Sequence, residues 1–192
     1  MLNKKRSTLE TTIEVSLAED RLAAESKINT GIGFFDHMLT LFSFHSDLYL
    51  ELIADGDLEV DFHHTVEDIG IVLGQLIREL YTAKKSYQRY GYFYLPMDES
   101  LARVVLDLSG RPHLNFQADF TTAKVGDFDV ELIGEFFNAV AMNSRMTLHI
   151  DLLKKGNTHH EIEAIFKAFA RSLRIALSET DGGVPSSKGV IE

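Results

Sequence analysis

The chain contains no cysteine. That excludes disulfides, a thiolate nucleophile and any cysteine-held zinc or iron–sulfur centre, so a metal site here must be built from nitrogen and oxygen. No apolar run approaches the length that spans a bilayer, and the opening MLNKKRSTLETTIEV lacks the apolar stretch of a signal peptide. The expectation is a cytoplasmic protein with no membrane partner. Positive charge is scarce as well: 19 Lys and Arg stand against 29 Asp and Glu, a formal net charge of −10. Such a surface repels nucleic acid and anionic lipid, so any phosphate must be met by a local basic pocket. What remains is ordinary for a soluble fold. The 192 residues, 45% hydrophobic and 25% charged, suit one domain, or two small halves around a shared core.

Only eight histidines are present, and four of them form two pairs. His63-His64-Thr65-Val66-Glu67-Asp68 is echoed by His159-His160-Glu161-Ile162-Glu163; each copy reads His-His-x-x-Glu. On a helix the first His and the Glu lie one turn apart on one face, where an imidazole nitrogen and a carboxylate oxygen can share a cation. The second His points about a quarter turn away and would serve a different ion. A single His-His is most simply a surface pair. Two copies, each opening an amphipathic helix, point instead to two metal sites, each drawing ligands from both halves.

The rest of the chain fits around these copies. Residues 9–17 and 21–29 carry β-branched, alternating residues and read as a strand pair, with Glu10 near its start. The turn Thr30-Gly31-Ile32-Gly33 leads into a helix in which Phe34, Met38, Leu41 and Phe42 recur at helical spacing. His37 and His45 lie on that helix, two turns apart. Residues 48–54 and 58–62 alternate around Asp55-Gly56, a hairpin signal, and deliver the chain to His63-His64. Ile69, Val72, Leu73, Leu76 and Leu80 form the buried stripe of the helix that follows. In the second half, strands are expected at 101–108 and 114–120 around Ser109-Gly110-Arg111-Pro112. A helix is expected at about 130–143, then a strand at 146–153 and a helix opening at His159.

The order strand–strand–helix–strand–(strand)–helix thus occurs twice, and the histidine pairs stand 96 residues apart. The expected fold class is therefore α/β (α+β), an internally duplicated unit in one domain, 1–192. Its halves are about 1–87 and 88–180, followed by a tail, 181–192. With a gap of two in the second hairpin, His37 falls opposite Glu135. Pseudo-symmetry then completes two ligand sets: His37, His64, His159 and Glu163 for one site, and His63, Glu67, Glu135 and His160 for the other. Four N/O donors with open positions favour Mn²⁺, with Fe²⁺ or Co²⁺ as substitutes. Arg89, Arg111 and Lys167 are candidate anion contacts, and Lys167 sits one turn beyond Glu163 on the ligand face. The tail Gly182-Gly183-Val184-Pro185-Ser186-Ser187-Lys188-Gly189 combines flexibility, two hydroxyls and an ammonium, as a phosphate-wrapping loop does.

With these pieces in place the sequence closely resembles the imidazoleglycerol-phosphate dehydratase family of histidine biosynthesis. The matching segments are GIGFFDHML (31–39) with His45, GDLEVDFHHTVEDIGIVLG (56–74), RYG (89–91), PMDESLA (96–102), DLSGRP (107–112), HHEIEAIFKAFARSL (159–173) and VPSSKG (184–189). The resemblance implies helices sandwiched between two β-sheets, two Mn²⁺ per active site, and a homo-oligomer. That assembly is a cubic particle of roughly two dozen subunits with active sites at subunit boundaries. The implied reaction is dehydration of imidazole glycerol phosphate to imidazole acetol phosphate. Both imidazole nitrogens bind metal, an imidazolate expels the neighbouring hydroxyl, and a carboxylate then removes the newly acidified C–H proton. By motif position Glu10 is the base and His45 assists proton transfer. Glu67 and Glu163 complete the catalytic set as metal-holding carboxylates, and Glu10, His45, Arg89, Arg111, Lys167, Ser186, Ser187 and Lys188 contact substrate. Glu135 stands where many members have His, Phe62 where Asp is usual and His113 where Tyr is usual. Two rival readings differ in observable ways. A dinuclear metallohydrolase would release phosphate, and a metal-assembled structural or storage protein would bind no imidazole ligand.

Overall fold

The computed structural model describes residues 1–185. The first half runs β1 (Leu2–Ser7), β2 (Thr11–Ala18), β3 (Lys27–Asn29), α1 (Gly33–Ser46), β4 (Tyr49–Gly56) and α2 (His63–Ala83). The second half runs β5 (Tyr90–Met97), β6 (Ser100–Asp107), β7 (His113–Gln117), α3 (Leu132–Ser144), β10 (Thr147–Lys154) and α4 (Thr158–Leu177), with a small β8–β9 hairpin (Lys124–Val125 and Phe128–Asp129) before α3. The two four-stranded sheets have the same order, β1-β2-β4-β3 and β5-β6-β10-β7. In each, two antiparallel pairings are followed by one parallel pairing. The fold is the duplicated α/β unit that the spacing predicts.

Each helix takes its place from its apolar stripe. α2 lies on β1 and β2, α4 lies on β5 and β6, and the helices meet across the halves as α1 with α4 and α2 with α3. Aromatic rings lock this layer: Phe35 meets Phe136 edge-on at 5.2 Å, Phe42 stacks on Phe169 at 5.7 Å, and Phe136 stacks on Phe166 at 5.4 Å. Both first helices end on a left-handed non-glycine residue, Asp47 (φ 63°) and Arg145 (φ 56°), a C-terminal stop that leaves the next strand to begin at once. Those stops are 98 residues apart, the same interval that separates His37 from Glu135. One close approach fixes α4 on its sheet: a Cβ on Gly91 would stand 1.9 Å from the Ser172 carbonyl oxygen.

Three expectations are corrected. The 21–29 strand shrinks to β3 and pairs parallel with β4, while β2 takes the N-terminal strand β1 as its antiparallel neighbour. β1 gave little signal because its polar sequence LNKKRS buries only one side of an edge strand. The 58–62 strand is absent: after Gly56 the chain turns, with Leu58 N–H donating to Gly56 O and Val60 N–H to Asp57 O, both at 2.9 Å. The strand expected to reach residue 120 stops at Gln117. Among the described residues no helix is long and apolar enough to cross a membrane.

Candidate active site

Each histidine pair lies in the first turn of its helix. Asn157, the N-cap of α4, accepts the His159 N–H at 2.9 Å, while α2 begins after Phe62 with the His63 N–H donating to Asp61 Oδ1 at 2.8 Å. The acidic residues beside the ligands then anchor each helix to its surroundings. Buried Asp68 accepts from Arg6 Nε at 2.7 Å and from the Thr11 hydroxyl, tying α2 to the edge of the first sheet. Buried Glu161 accepts from the backbone N–H groups of Gly156 (2.8 Å) and Thr121 (3.1 Å), tying α4 to its two neighbouring loops. Within each copy the rings of the pair stand nearly perpendicular, at 87° for His63 and His64 and 82° for His159 and His160.

The packing of α1 on α4 brings three residues of the first ligand set together. His37 Nε2 and His159 Nε2 each lie 3.0 Å from Glu163 Oε1, and the donor atoms of all three fall within 4.8 Å of one another. A carboxylate only accepts, so each ring presents an Nε2–H to one oxygen, protons converging where a cation would sit. Lys167 Nζ donates to the other oxygen of Glu163. Burial by itself would raise the Glu163 carboxyl, but hydrogen bonds from Lys167, His37 and His159, with the Lys167 charge, hold it down at about 2. Two imidazoles and one carboxylate suit a borderline divalent cation.

Beyond this cluster His159, Glu163, Lys167 and Arg171 follow one another at four-residue steps along α4, one ridge of the helix. On α1, His45 lies two turns from His37 and faces the same ridge. Its imidazole is held below its ordinary value first by burial and then by the charges of Lys167 and Arg171, which keeps it neutral at pH 7. The ridge therefore runs from a cation-binding end to a cationic end.

The other expected residues are placed elsewhere. His64 is outside the three-residue cluster; its Nδ1 lies 2.9 Å from Asp57 Oδ2 and its Nε2 3.8 Å from Glu10 Oε2. His160 lies beside Asp98 and Glu99. His63 and Glu67 sit half-buried at the start of α2 and Glu135 is exposed on α3. Donor atoms of Asp98, Glu99 and His160 form a second group of three within 4.8 Å of one another, whereas His63, Glu67 and Glu135 join no such group among the described residues. Arg89 makes a two-pronged pair with Asp107, at 2.7 and 3.1 Å, and donates to Pro185 O at 2.6 Å. Exposed Arg111 approaches the same Asp107 at 3.9 Å. Arg89 N–H bonds Ala176 O, so this arginine pair stands at the far end of α4, about 25 Å along the axis from His159. Ser186, Ser187 and Lys188 lie outside the described residues. Sequence reasoning gave no role to Asp57, Glu99 or Arg171. Glu99 was accessible through the duplication, because Thr11 and Ser100 open equivalent strands and Glu10 and Glu99 precede them.

Fold and ridge define a class: a duplicated α/β protein with a histidine–carboxylate cation cluster beside a row of cations suited to a phosphorylated small molecule. Comparison with known proteins narrows it. The family model for imidazoleglycerol-phosphate dehydratase matches residues 30–173. The imidazoleglycerol-phosphate dehydratase of Staphylococcus carnosus is 63% identical over 191 residues, covering 98% of each chain, and that of Staphylococcus aureus strain JH9 is 60% identical over 190 residues, again 98% of each. The crystal structure of the enzyme from Staphylococcus aureus N315 superposes with a TM-score of 0.85 at 56% identity, covering 93% of this chain and 98% of that one. That of the Pyrococcus furiosus enzyme, in complex with (S)-C348, gives 0.85 at 36% identity, covering 97% and 99%. The chain belongs to the imidazoleglycerol-phosphate dehydratase family. It is a hydro-lyase of histidine biosynthesis, acting on imidazole glycerol phosphate.

Proposed function

We propose that the dehydration takes place at sites completed between copies of the chain, each holding two divalent cations, with Mn²⁺ the ion the donor set favours. The observation that carries this reading is the half-built cluster. His37, His159 and Glu163 converge on one point, while His64, assigned to the same set, faces away toward Asp57 and Glu10. A second copy supplies the missing His64 to one cation, and His63, Glu67, Glu135 and His160 are shared in the same manner for the other. The arginine pair supports the same reading. Separated from His159 by most of the length of α4, Arg89 and Arg111 meet a substrate held in a neighbouring copy's cluster. Cytoplasmic location and a cubic homo-oligomer of roughly two dozen subunits belong to this proposal.

The cations supply Lewis-acid withdrawal of charge from the substrate's imidazole. The chain's own groups do the rest. Lys167 and Arg171, with Arg89, Arg111, Ser186, Ser187 and Lys188, hold the phosphate and so fix the glycerol chain between the two ends of the ridge. Glu10, exposed beside His64 Nε2, takes the carbon-bound proton. Neutral His45, poised beside Lys167, relays a proton to the leaving hydroxyl, one ring nitrogen giving up its hydrogen as the other takes one from water, and the enol left behind becomes the ketone.

Protein stripped with a chelator and dialysed is assayed with imidazole glycerol phosphate with and without Mn²⁺, with particle size followed by light scattering. Mn²⁺-dependent ketone, lost in His64→Ala and His160→Ala, is the expected result. Assembly with Mn²⁺ but no ketone under any divalent metal refutes the catalytic reading, and release of inorganic phosphate instead marks a hydrolase.

A further inference from the structure

His64 and His160 both turn Nδ1 onto a carboxylate. His64 Nδ1 lies 2.9 Å from Asp57 Oδ2, and His160 Nδ1 lies 3.3 Å from each oxygen of Glu99. Since an ionised carboxylate only accepts, Nδ1 carries the hydrogen in each ring and Nε2 is left with its lone pair. The two carboxylates are not duplication counterparts. The position equivalent to Glu99 is Glu10, which stands at the opposite nitrogen of His64, 3.8 Å from Nε2. Asp57 comes instead from the turn between β4 and α2, a connection longer than its counterpart between β10 and α4.

Asp57 is also placed at a cost. Its side chain is only 19% exposed, against 47% for Glu99, and its second oxygen, Oδ1, is buried without a hydrogen-bond partner among the described residues. A carboxylate kept only to brace a turn would satisfy both oxygens; this one is committed to the His64 ring. Glu99, by contrast, also accepts the Asn157 N–H at 2.6 Å and so helps hold the start of α4.

We infer that Asp57 is a positioning residue. Its hydrogen bond fixes the His64 tautomer with Nε2 free for the cation, and so releases the Glu10 position from the orienting duty that Glu99 performs for His160. The two halves thereby divide one task differently, and only the first keeps a carboxylate free on the Nε2 side of its histidine. The hydrogen bond that one ring nitrogen makes decides which nitrogen is available to metal.

This inference rests on the cation reading above, and the test separates the two. Metal-free protein labelled with ¹⁵N-histidine is observed by magic-angle-spinning NMR at about pH 8.5, above the imidazole range, with His64→Asn identifying the His64 signals. The parent shows His64 protonated at Nδ1. Asp57→Asn, which keeps a carbonyl acceptor, retains that tautomer, whereas Asp57→Ala loses it. In Mn²⁺ titrations followed by the electron paramagnetic resonance of the free ion, Asp57→Ala weakens one class of site by about 10- to 100-fold while Asp57→Asn stays within about threefold of the parent. An unchanged tautomer in Asp57→Ala, or equal loss of affinity in both variants, overturns the inference. If the parent itself binds no Mn²⁺ the cation reading fails, and the NMR signal alone decides the role of Asp57.

Discussion

The Glu163 carboxyl makes acid stability a quantitative probe of the cluster. Its value falls from 4.5 to about 2 in the folded chain, burial being outweighed by the Lys167, His37 and His159 hydrogen bonds. A carboxyl depressed by folding contributes stability that is fully present above its unfolded value. The contribution drains away as pH falls from about 4.5 through about 2. Taken at face value the gap is worth about 3 kcal/mol. The side chains of His37 and His159 are 44% and 41% exposed, so water screens them and about 1–2 kcal/mol is the expected share. The assay is urea unfolding of chelator-treated parent and Glu163→Gln at a series of pH values. The variant leaves Lys167 without its ionic partner at every pH, and that penalty cancels in the comparison. The stability gap between parent and variant therefore narrows by about 1–2 kcal/mol between pH 6 and pH 2.5. A gap that stays constant refutes the claim that Glu163 is the focus of these hydrogen bonds.

Three further outcomes follow from the same geometry. On the proposed reading Lys167→Met removes a charge-assisted contact to the substrate phosphate, so KM rises by about 10- to 100-fold with a smaller change in kcat; steady-state kinetics on Mn²⁺-loaded enzyme decide it, and an unchanged KM places the phosphate elsewhere. His45 is held neutral by burial and by Lys167 and Arg171, so its catalytic form persists below the ordinary imidazole value. The acid limb of the kcat/KM profile should lie below about 6.5, and His45→Gln should remove that limb. Gly91→Ala drives a methyl group to within 1.9 Å of the Ser172 carbonyl oxygen, which costs about 1–3 kcal/mol in urea unfolding; a cost under about 0.5 kcal/mol means α4 is free to shift off its sheet.

The helices were legible because each writes its burial into the sequence at helical spacing. Ile69, Val72, Leu73 and Leu76 are all fully buried, as the stripe predicts. Strand pairing was less legible, because a strand records which face is buried and not which strand lies beside it. Thus β3 looked like the partner of β2 and is instead parallel to β4. Asp55-Gly56 is a fair hairpin signal, yet the residues after it serve the histidine pair: Asp57 reaches His64, and Asp61 accepts the His63 N–H. A single aspartate in a loop has no periodicity to betray its partner. The pairing of His37 with Glu163 was readable, although 126 residues separate them, because the duplication supplied the register.

That contrast separates two kinds of site residue. Residues carried on helix faces obey the duplication: His37 lies opposite Glu135, His63 opposite His159, Glu67 opposite Glu163. Residues that orient or react do not. Glu99 braces His160, its counterpart Glu10 is left free, and Asp57 has no counterpart on the shorter connection. The proposed pair of cation sites draws on duplicated positions, with His37 and Glu135 differing in type but both able to offer a ligand atom. Removing one proton from one carbon of an unsymmetrical substrate needs a single base. Departure from the repeat is therefore where this fold's catalytic asymmetry should be sought, and the connection between β4 and α2 is where the chain places it.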